Sequence, residues 1–375
     1  MEQYAPRTAA NPAAPGVWPR QGEAGCDESY LGRLVQTIDA RRNGADHEAL
    51  LLIKNLLANG DQWDAAQRAE VDRCLTGFRY DMSEPGDDSM CMWSEHRVLT
   101  FAVAEYLTGQ LFPDRTFTND GRSGERHLRS AEAKLQVWLS DRFRFGFSEW
   151  LCNTTYAWDA GALALLIDEA QDAKLAARAG IVLDLLMFDL AVHSFEGTFA
   201  PAMACAGADQ QKHPDQAEVQ PVLASAFDSA DGDDVIPDIT QLASLFVCRR
   251  RYQVPQTICE IAHTDQVVRA RVSQGLDVAE VASELRTHPE FPRTQSTDLT
   301  RFYWAMQAIV TPESIAGSVA YYADHGLGNQ LLAGLERFRS VPRRLLASQV
   351  RARNPVAGGR ALQRGNVQTY RCPNY

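Results

Sequence analysis

Lysine is nearly missing from this chain: Lys54, Lys134, Lys174 and Lys212 are the only four among 37 basic residues, the rest being arginine. Coding bias toward GC-rich codons accounts for that without giving every guanidinium a task. Long apolar runs are also missing, and without a run of about eighteen uncharged residues no transmembrane helix is expected. The opening Met-Glu-Gln-Tyr-Ala-Pro-Arg has neither the basic nor the apolar region of a signal peptide, so a soluble cytoplasmic protein is expected. The eight cysteines form no CxxC pair, which argues for buried, reduced thiols over a disulfide framework. There is no HExxH, GxSxG, Walker loop or strand-borne GxGxxG, which removes zinc protease, α/β-hydrolase, NTPase and Rossmann readings.

What remains is a 375-residue chain, 45% hydrophobic, with a net charge of −11. That apolar content is enough for a large core and excludes a disordered chain. The acidic balance excludes nucleic acid as the default partner, because a duplex-binding surface needs clustered cations. No cofactor and no metal are expected.

Residues 1–28 are rich in Pro and Gly and read as an extended arm. From 29 to 353 apolar residues recur at helical spacing, beginning with Leu31, Leu34, Val35 and Ile38. Helices are expected over 94–110, 123–143 and 172–194, with shorter ones over 235–250, 256–272, 276–286, 297–310, 312–323, 327–338 and 341–353. Strand signals are scarce, so the expected fold class is all-α, with antiparallel helical hairpins packed as a bundle or as an incomplete or complete α/α toroid. Residues 207–240 carry many aspartates against Lys212 alone and read as an acidic loop. Its Asp231-Gly-Asp233-Asp234 matches the DxDD of class II terpene cyclases, a chance match in so polar a loop. Residues 354–375 form a basic tail whose last ten residues read as the start of a strand.

Two constellations carry chemistry. In Met92-Trp93-Ser94-Glu95-His96-Arg97, Ser94 is placed as an N-cap and Glu95 and His96 in the first helical turn. A helix N-terminus disfavours a protonated imidazole, which suits His96 to act as a general base. The plainer alternative is that Glu95 only complements the helix dipole. The second, from Arg142 through Arg144, Gly146, Glu149 and Trp150 to Asn153, Tyr156, Trp158 and Asp159, mixes aromatic faces with groups that hold sugar hydroxyls or a uronate. Glu95 and Glu149 are candidates for the paired carboxylates of a glycosidase. Alternatively, Tyr156 or His96 abstracts the proton beside a uronate carboxylate that Asn153 or an arginine neutralises, as a lyase requires. Asp184, Asp189, His193 and Glu196 include an i, i+4 carboxylate–His pair, more readily explained by an internal salt bridge than by a metal.

Trp93-Ser94-Glu95, Ala104 to Gln110, Phe145 to Trp150, Asn153, Tyr156, Asp159 and Val182 to Leu186 together resemble a group of bacterial proteins similar to the helical-toroid polysaccharide lyases of the alginate and chondroitin lyase superfamily. About a third of the chain carries the resemblance. It implies a toroid acting on an acidic, uronate-containing polysaccharide by β-elimination, with His96, Tyr156, Glu149 and Glu95 as catalytic residues and Trp93, Arg97, Trp150, Asn153 and Arg144 as substrate binders. It also implies that the tail leads toward β-rich sequence. The chain departs from the pattern: His96-Arg97 stands where those proteins have Asn-His, Cys152 where a serine is usual, and Ala-Met-Ala-Cys-Ala-Gly after Phe199 where Gly-Arg-Xaa-Tyr is expected. These departures raise the alternative of a non-catalytic glycan-binding or scaffold protein.

Overall fold

The computed structural model describes residues 17–20, 22, 27–227, 238–325, 328–357 and 361–372. The DxDD match lies outside them, as does most of the N-terminal arm. Of that arm, Trp18 is buried in the core and the Pro19 carbonyl accepts the Asn59 side-chain N–H at 3.1 Å.

The protein is mostly helical. Its first helix, α1 (Glu28–Asp39), starts where the Asp27 carboxylate accepts the Tyr30 N–H at 2.9 Å, and it buries the stripe Tyr30, Leu31, Leu34, Val35 and Ile38 against α2 (Ala45–Asn59). A capping box between Asp64 and Gln67 opens α3 (Ala65–Gly77). The central helices are α4 (Glu95–Leu111), α5 (Gly124–Phe145), α6 (Thr155–Glu169) and α7 (Ala173–His193). Gly146 ends α5 with φ 72°, and Asp172 caps α7 through the Lys174 and Leu175 N–H groups. α4 packs on α2, α5 and α6, while α7 packs on α5 and α6, so α4–α5 and α6–α7 are consecutive hairpins.

Shorter helices complete the chain: α8 (Ala208–Lys212), α9 (Gln220–Phe227), α10 (Ala243–Val247), α11 (Gln256–His263), α12 (Val281–Arg286), α13 (Ser296–Ala305), α14 (Ile315–His325) and α15 (Arg343–Ala357). Gln330–Phe338 is a 3-10 helix. The described part of 207–240 is therefore not simply a loop, since α8 and α9 lie in it. Buried Val222, Leu223, Ala226 and Phe227 hold α9 to the core despite the acidic surroundings.

Where a helix was expected to run from 256 to 272, α11 ends at His263 and a strand, Val268–Gln274, follows. It pairs antiparallel with Gly365–Arg371, from Val268 opposite Arg371 to Gln274 opposite Gly365. The Val-Arg-Ala-Arg-Val run alternates with period two, which suits a strand rather than a continued helix. At its end the buried Arg371 guanidinium donates to the Ala191 and Ser194 carbonyls, both at 2.9 Å, and to the Ile261 carbonyl at 2.6 Å. These carbonyls belong to the C-terminal ends of α7 and α11, where a cation is favoured by the helix dipole. Two other pairings are minor: the Ser194–Phe195 and Thr198–Phe199 hairpin, whose turn places Glu196 and Gly197 at positive φ, and the parallel contact of Asp87–Asp88 with Gly328–Asn329.

Candidate functional site

Glu95 and Glu149 form a reciprocal clasp between the start of α4 and the turn before α6. The Glu95 carboxylate is fully buried and accepts the Ser148 N–H at 2.9 Å and the Glu149 N–H at 3.3 Å, with the Arg142 guanidinium against it. In return, Glu149 Oε2 accepts the His96 backbone N–H at 3.2 Å and meets His96 Nδ1 at 2.7 Å. The anion serving the N-terminus of α4 is thus Glu149, not the helix's own Glu95. Ser94 holds the N-cap position without a side-chain capping bond. Leu151, fully buried, takes φ 53° in the turn that delivers Glu149, a left-handed conformation costing a β-carbon residue about 1–2 kcal/mol.

With Nδ1 donating to a carboxylate, a neutral His96 presents its lone pair at Nε2. That atom is buried and has no hydrogen-bond partner among the described residues. Half-buried Trp158 lies beside it, its ring 4.9 Å from the His96 ring, 4.6 Å from that of His47 and 5.5 Å from the Arg97 guanidinium. The Trp158 indole N–H donates to Glu218, whose carboxyl is pulled up, chiefly by burial. Burial pushes His47 down to about 3, so that ring stays neutral. Arg97 is paired with Asp46, which also accepts the Thr100 hydroxyl. Shortly before Trp158 in the chain, Asn153 is buried, its amide donating to the Gln210 carbonyl at 3.2 Å while Oδ1 has no hydrogen-bond partner among the described residues. Asp159 is fully buried with neither oxygen hydrogen-bonded among the described residues, and burial and the charge of Glu149 hold it well above the usual carboxylate range.

The other residues singled out from the sequence lie elsewhere. The Tyr156 hydroxyl donates to Asp189 at 2.8 Å, which Gln274 also bonds, and burial holds the phenol well above its ordinary value. Trp150 donates its N–H to the Gln363 carbonyl at 3.0 Å and packs on Gly365, where an added Cβ would come within 2.4 Å of the indole. Arg144 is exposed, 3.4 Å from Glu284, and borders a cavity of about 580 Å³ with Arg142, Phe143, Asp189, Gln274 and Arg364. Trp93 borders a second cavity of about 520 Å³ with Phe101, Trp138, Arg142, Arg293 and Phe302. Neither cavity is lined by His96, Glu149, Asn153 or Tyr156. The expected single cleft thus resolves into a His96–Glu149 locus beside Trp158 and two cavities flanking Arg142.

His193 Nδ1 meets the Thr369 hydroxyl at 2.6 Å and Asp184 accepts from Tyr252 at 2.9 Å, so Asp184, Asp189 and His193 are each engaged with a different partner. Among the described residues the group with metal-ligand proximity is Glu84, Glu105 and His127, with ligand atoms within 4.8 Å of one another. Lys134 bonds Glu105 at 2.7 Å and Arg122 bonds Glu84 at 2.8 Å, so protein cations answer the charge a metal would answer. Burial, and then Glu105, push the Glu84 carboxyl up to about 7.

His47, Asp46 and Glu218 are the locus residues that spacing alone did not single out, because α2, α6 and the segment before α9 meet there only in the fold. Among the described residues, no helix is long and apolar enough to cross a membrane. Comparison with protein-family models, curated proteins and solved structures finds no match.

Proposed function

We propose that the protein is a carbohydrate-active enzyme of lyase type, its helical hairpins arranged as a toroid, acting on a uronate-containing polysaccharide by β-elimination. The observation that carries this reading is His96 Nε2, unpartnered beside the Trp158 ring while Glu149 holds Nδ1 at 2.7 Å. Such a dyad suits proton abstraction: Glu149 fixes the tautomer and stabilises the imidazolium that forms when Nε2 takes the proton beside the uronate carboxylate. The bond to the leaving glycosidic oxygen then breaks as the carbon–carbon double bond forms. Glu218, its carboxyl pulled up, is the acid nearest Trp158 to protonate that oxygen. Trp158 offers the flat apolar face on which a pyranose stacks.

A second reading, glycan binding without catalysis, has its own support. Glu95, Arg97 and Tyr156 are bound to Arg142, Asp46 and Asp189. Their charge and hydroxyl are committed within the protein.

Incubation with a panel of polyuronates, following the ultraviolet absorbance of the unsaturated product together with reducing ends, separates the readings. Lyase action gives both signals, and His96→Gln lowers the rate by about 10²–10⁴-fold. Reducing ends without the absorbance indicate hydrolysis. Glycan retention with neither signal leaves the binding reading, and no retention overturns both.

A further inference from the structure

Three helix faces border the cavity of about 520 Å³ without closing on one another. Phe101 and Ala102 of α4, Val137 and Trp138 of α5 and Phe302 of α13 line it, and Trp93, just before α4, adds a further ring. Ion pairs fix the spacing of these walls at two levels. Asp81 takes the Lys134 ammonium of α5 at 2.8 Å and the Arg301 guanidinium of α13 at 2.6 Å. Two turns further along α5, about 10 Å by helical rise, Asp141 accepts from the Arg293 guanidinium, in the segment before α13, at 2.9 Å. Trp93 is set edge-on against buried Trp304, with 6.0 Å between the ring centroids. A gap with walls held in this way exists before a ligand enters it. The same pairs decide the charge of the wall. Lys134 is committed to Asp81 and Glu105, Arg142 to Glu95, Arg293 to Asp141 and Arg301 to Asp81. Arg178 holds Glu290 at 2.7 Å, and Asp298 lies in the first turn of α13, where the helix N-terminus favours a carboxylate. The Arg142 guanidinium lies 5.5 Å from the Trp138 ring and that of Arg293 5.7 Å from the Phe302 ring. The described wall therefore offers aromatic rings bordered by neutralised pairs.

We propose that this cavity is a binding site for an uncharged, largely aromatic small molecule, separate from the His96–Glu149 locus. Its volume of about 520 Å³ falls in the range of about 300–1,000 Å³ that takes a ligand of drug size. Flat rings of the ligand stack on, or meet edge-on, the rings of Trp93, Trp138 and Phe302. An anionic ligand gains little there, because the cations of the wall already have carboxylate partners. Since the ion pairs hold the walls in place beforehand, binding orders little that is not already ordered. Neither His96 nor Glu149 lines the cavity, so the site stands independently of the proposed lyase reading.

The test titrates the folded full-length chain with Nile red, an uncharged planar dye whose emission rises and shifts to the blue in apolar surroundings. A saturable rise at about one dye per chain is expected. Two variants fill the cavity from its walls: Ala133→Trp on the exposed side of α5, and Ala102→Phe from the buried face of α4. Each is expected to weaken binding about tenfold or more. A rise that does not saturate, a stoichiometry other than one, or equal binding by a folded variant places the dye elsewhere and overturns the proposal. Anionic anilinonaphthalene sulfonate or cationic thioflavin T bound as tightly as Nile red overturns the uncharged class. Displacement of the dye by an oligouronate makes the cavity part of a glycan cleft and overturns the separate site. Wild-type saturation and stoichiometry decide even where both variants fold poorly.

Discussion

Two carboxylates in one clasp carry different loads. Glu95 compensates the buried Arg142 guanidinium and two backbone N–H groups, whereas Glu149 serves one N–H and an imidazole. Glu95→Gln strands a buried cation, and a loss of about 3–5 kcal/mol in urea unfolding is expected. Glu149→Gln keeps an acceptor for the His96 N–H and is expected to cost only about 1 kcal/mol in the same unfolding experiment. Glu84 supplies the pH dependence. Its folded carboxyl titrates near 7 against an ordinary 4.5, so the folded state holds the proton more tightly. That contribution is complete below about 4.5, is lost as pH rises toward about 7, and is flat above. Urea midpoints across this range should fall in the wild type and fall less in Glu84→Gln. At this scale the sequence made the types of His96 and Glu149 readable, because a helix start and a Gly-ended helix flag their positions. It did not show that Tyr156 turns to Asp189 or that His47 reaches Trp158, since those directions are set by side chains distant along the chain.

Helix packing depends on two glycines where backbones touch. A Cβ at Gly109 of α4 would come within 2.6 Å of the Gly124 carbonyl and the Leu128 nitrogen on α5. At Gly161 of α6 it would come within 2.2 Å of the Leu242 carbonyl beside α10. Alanine is the better helix former by about 1 kcal/mol, yet backbone overlap of this kind costs about 1–3 kcal/mol or more. Gly161→Ala is therefore expected to lower the thermal midpoint. An unchanged midpoint would show that α6 and the 242 backbone stand farther apart. The long helices were legible in the sequence, with α4, α5 and α7 beginning and ending within two residues of expectation. The Val268–Gln274 strand was not, because its alternation is short and the pairing partner that stabilises it lies in the tail.

At the scale of the molecule, the basic tail does structural work that its charge alone did not reveal. Arg371, 7% exposed, answers carbonyls at the ends of two helices. Arg371→Ala is expected to cost about 3 kcal/mol and to raise hydrogen exchange at the C-terminal turns of both helices more than elsewhere. The predominance of helix was readable from composition and spacing, while the meeting of α7, α11 and the tail was not, since nothing local encodes it. The same contact has a consequence for biosynthesis. A ribosome delivers α7 long before residue 371, so the end of that helix and the 268–274 strand must wait through the synthesis of every intervening element before their partner emerges. A chain cut before residue 365 therefore keeps its earlier helices complete in sequence but leaves the 268–274 strand and the ends of α7 and α11 without the partners that residues 365–371 supply.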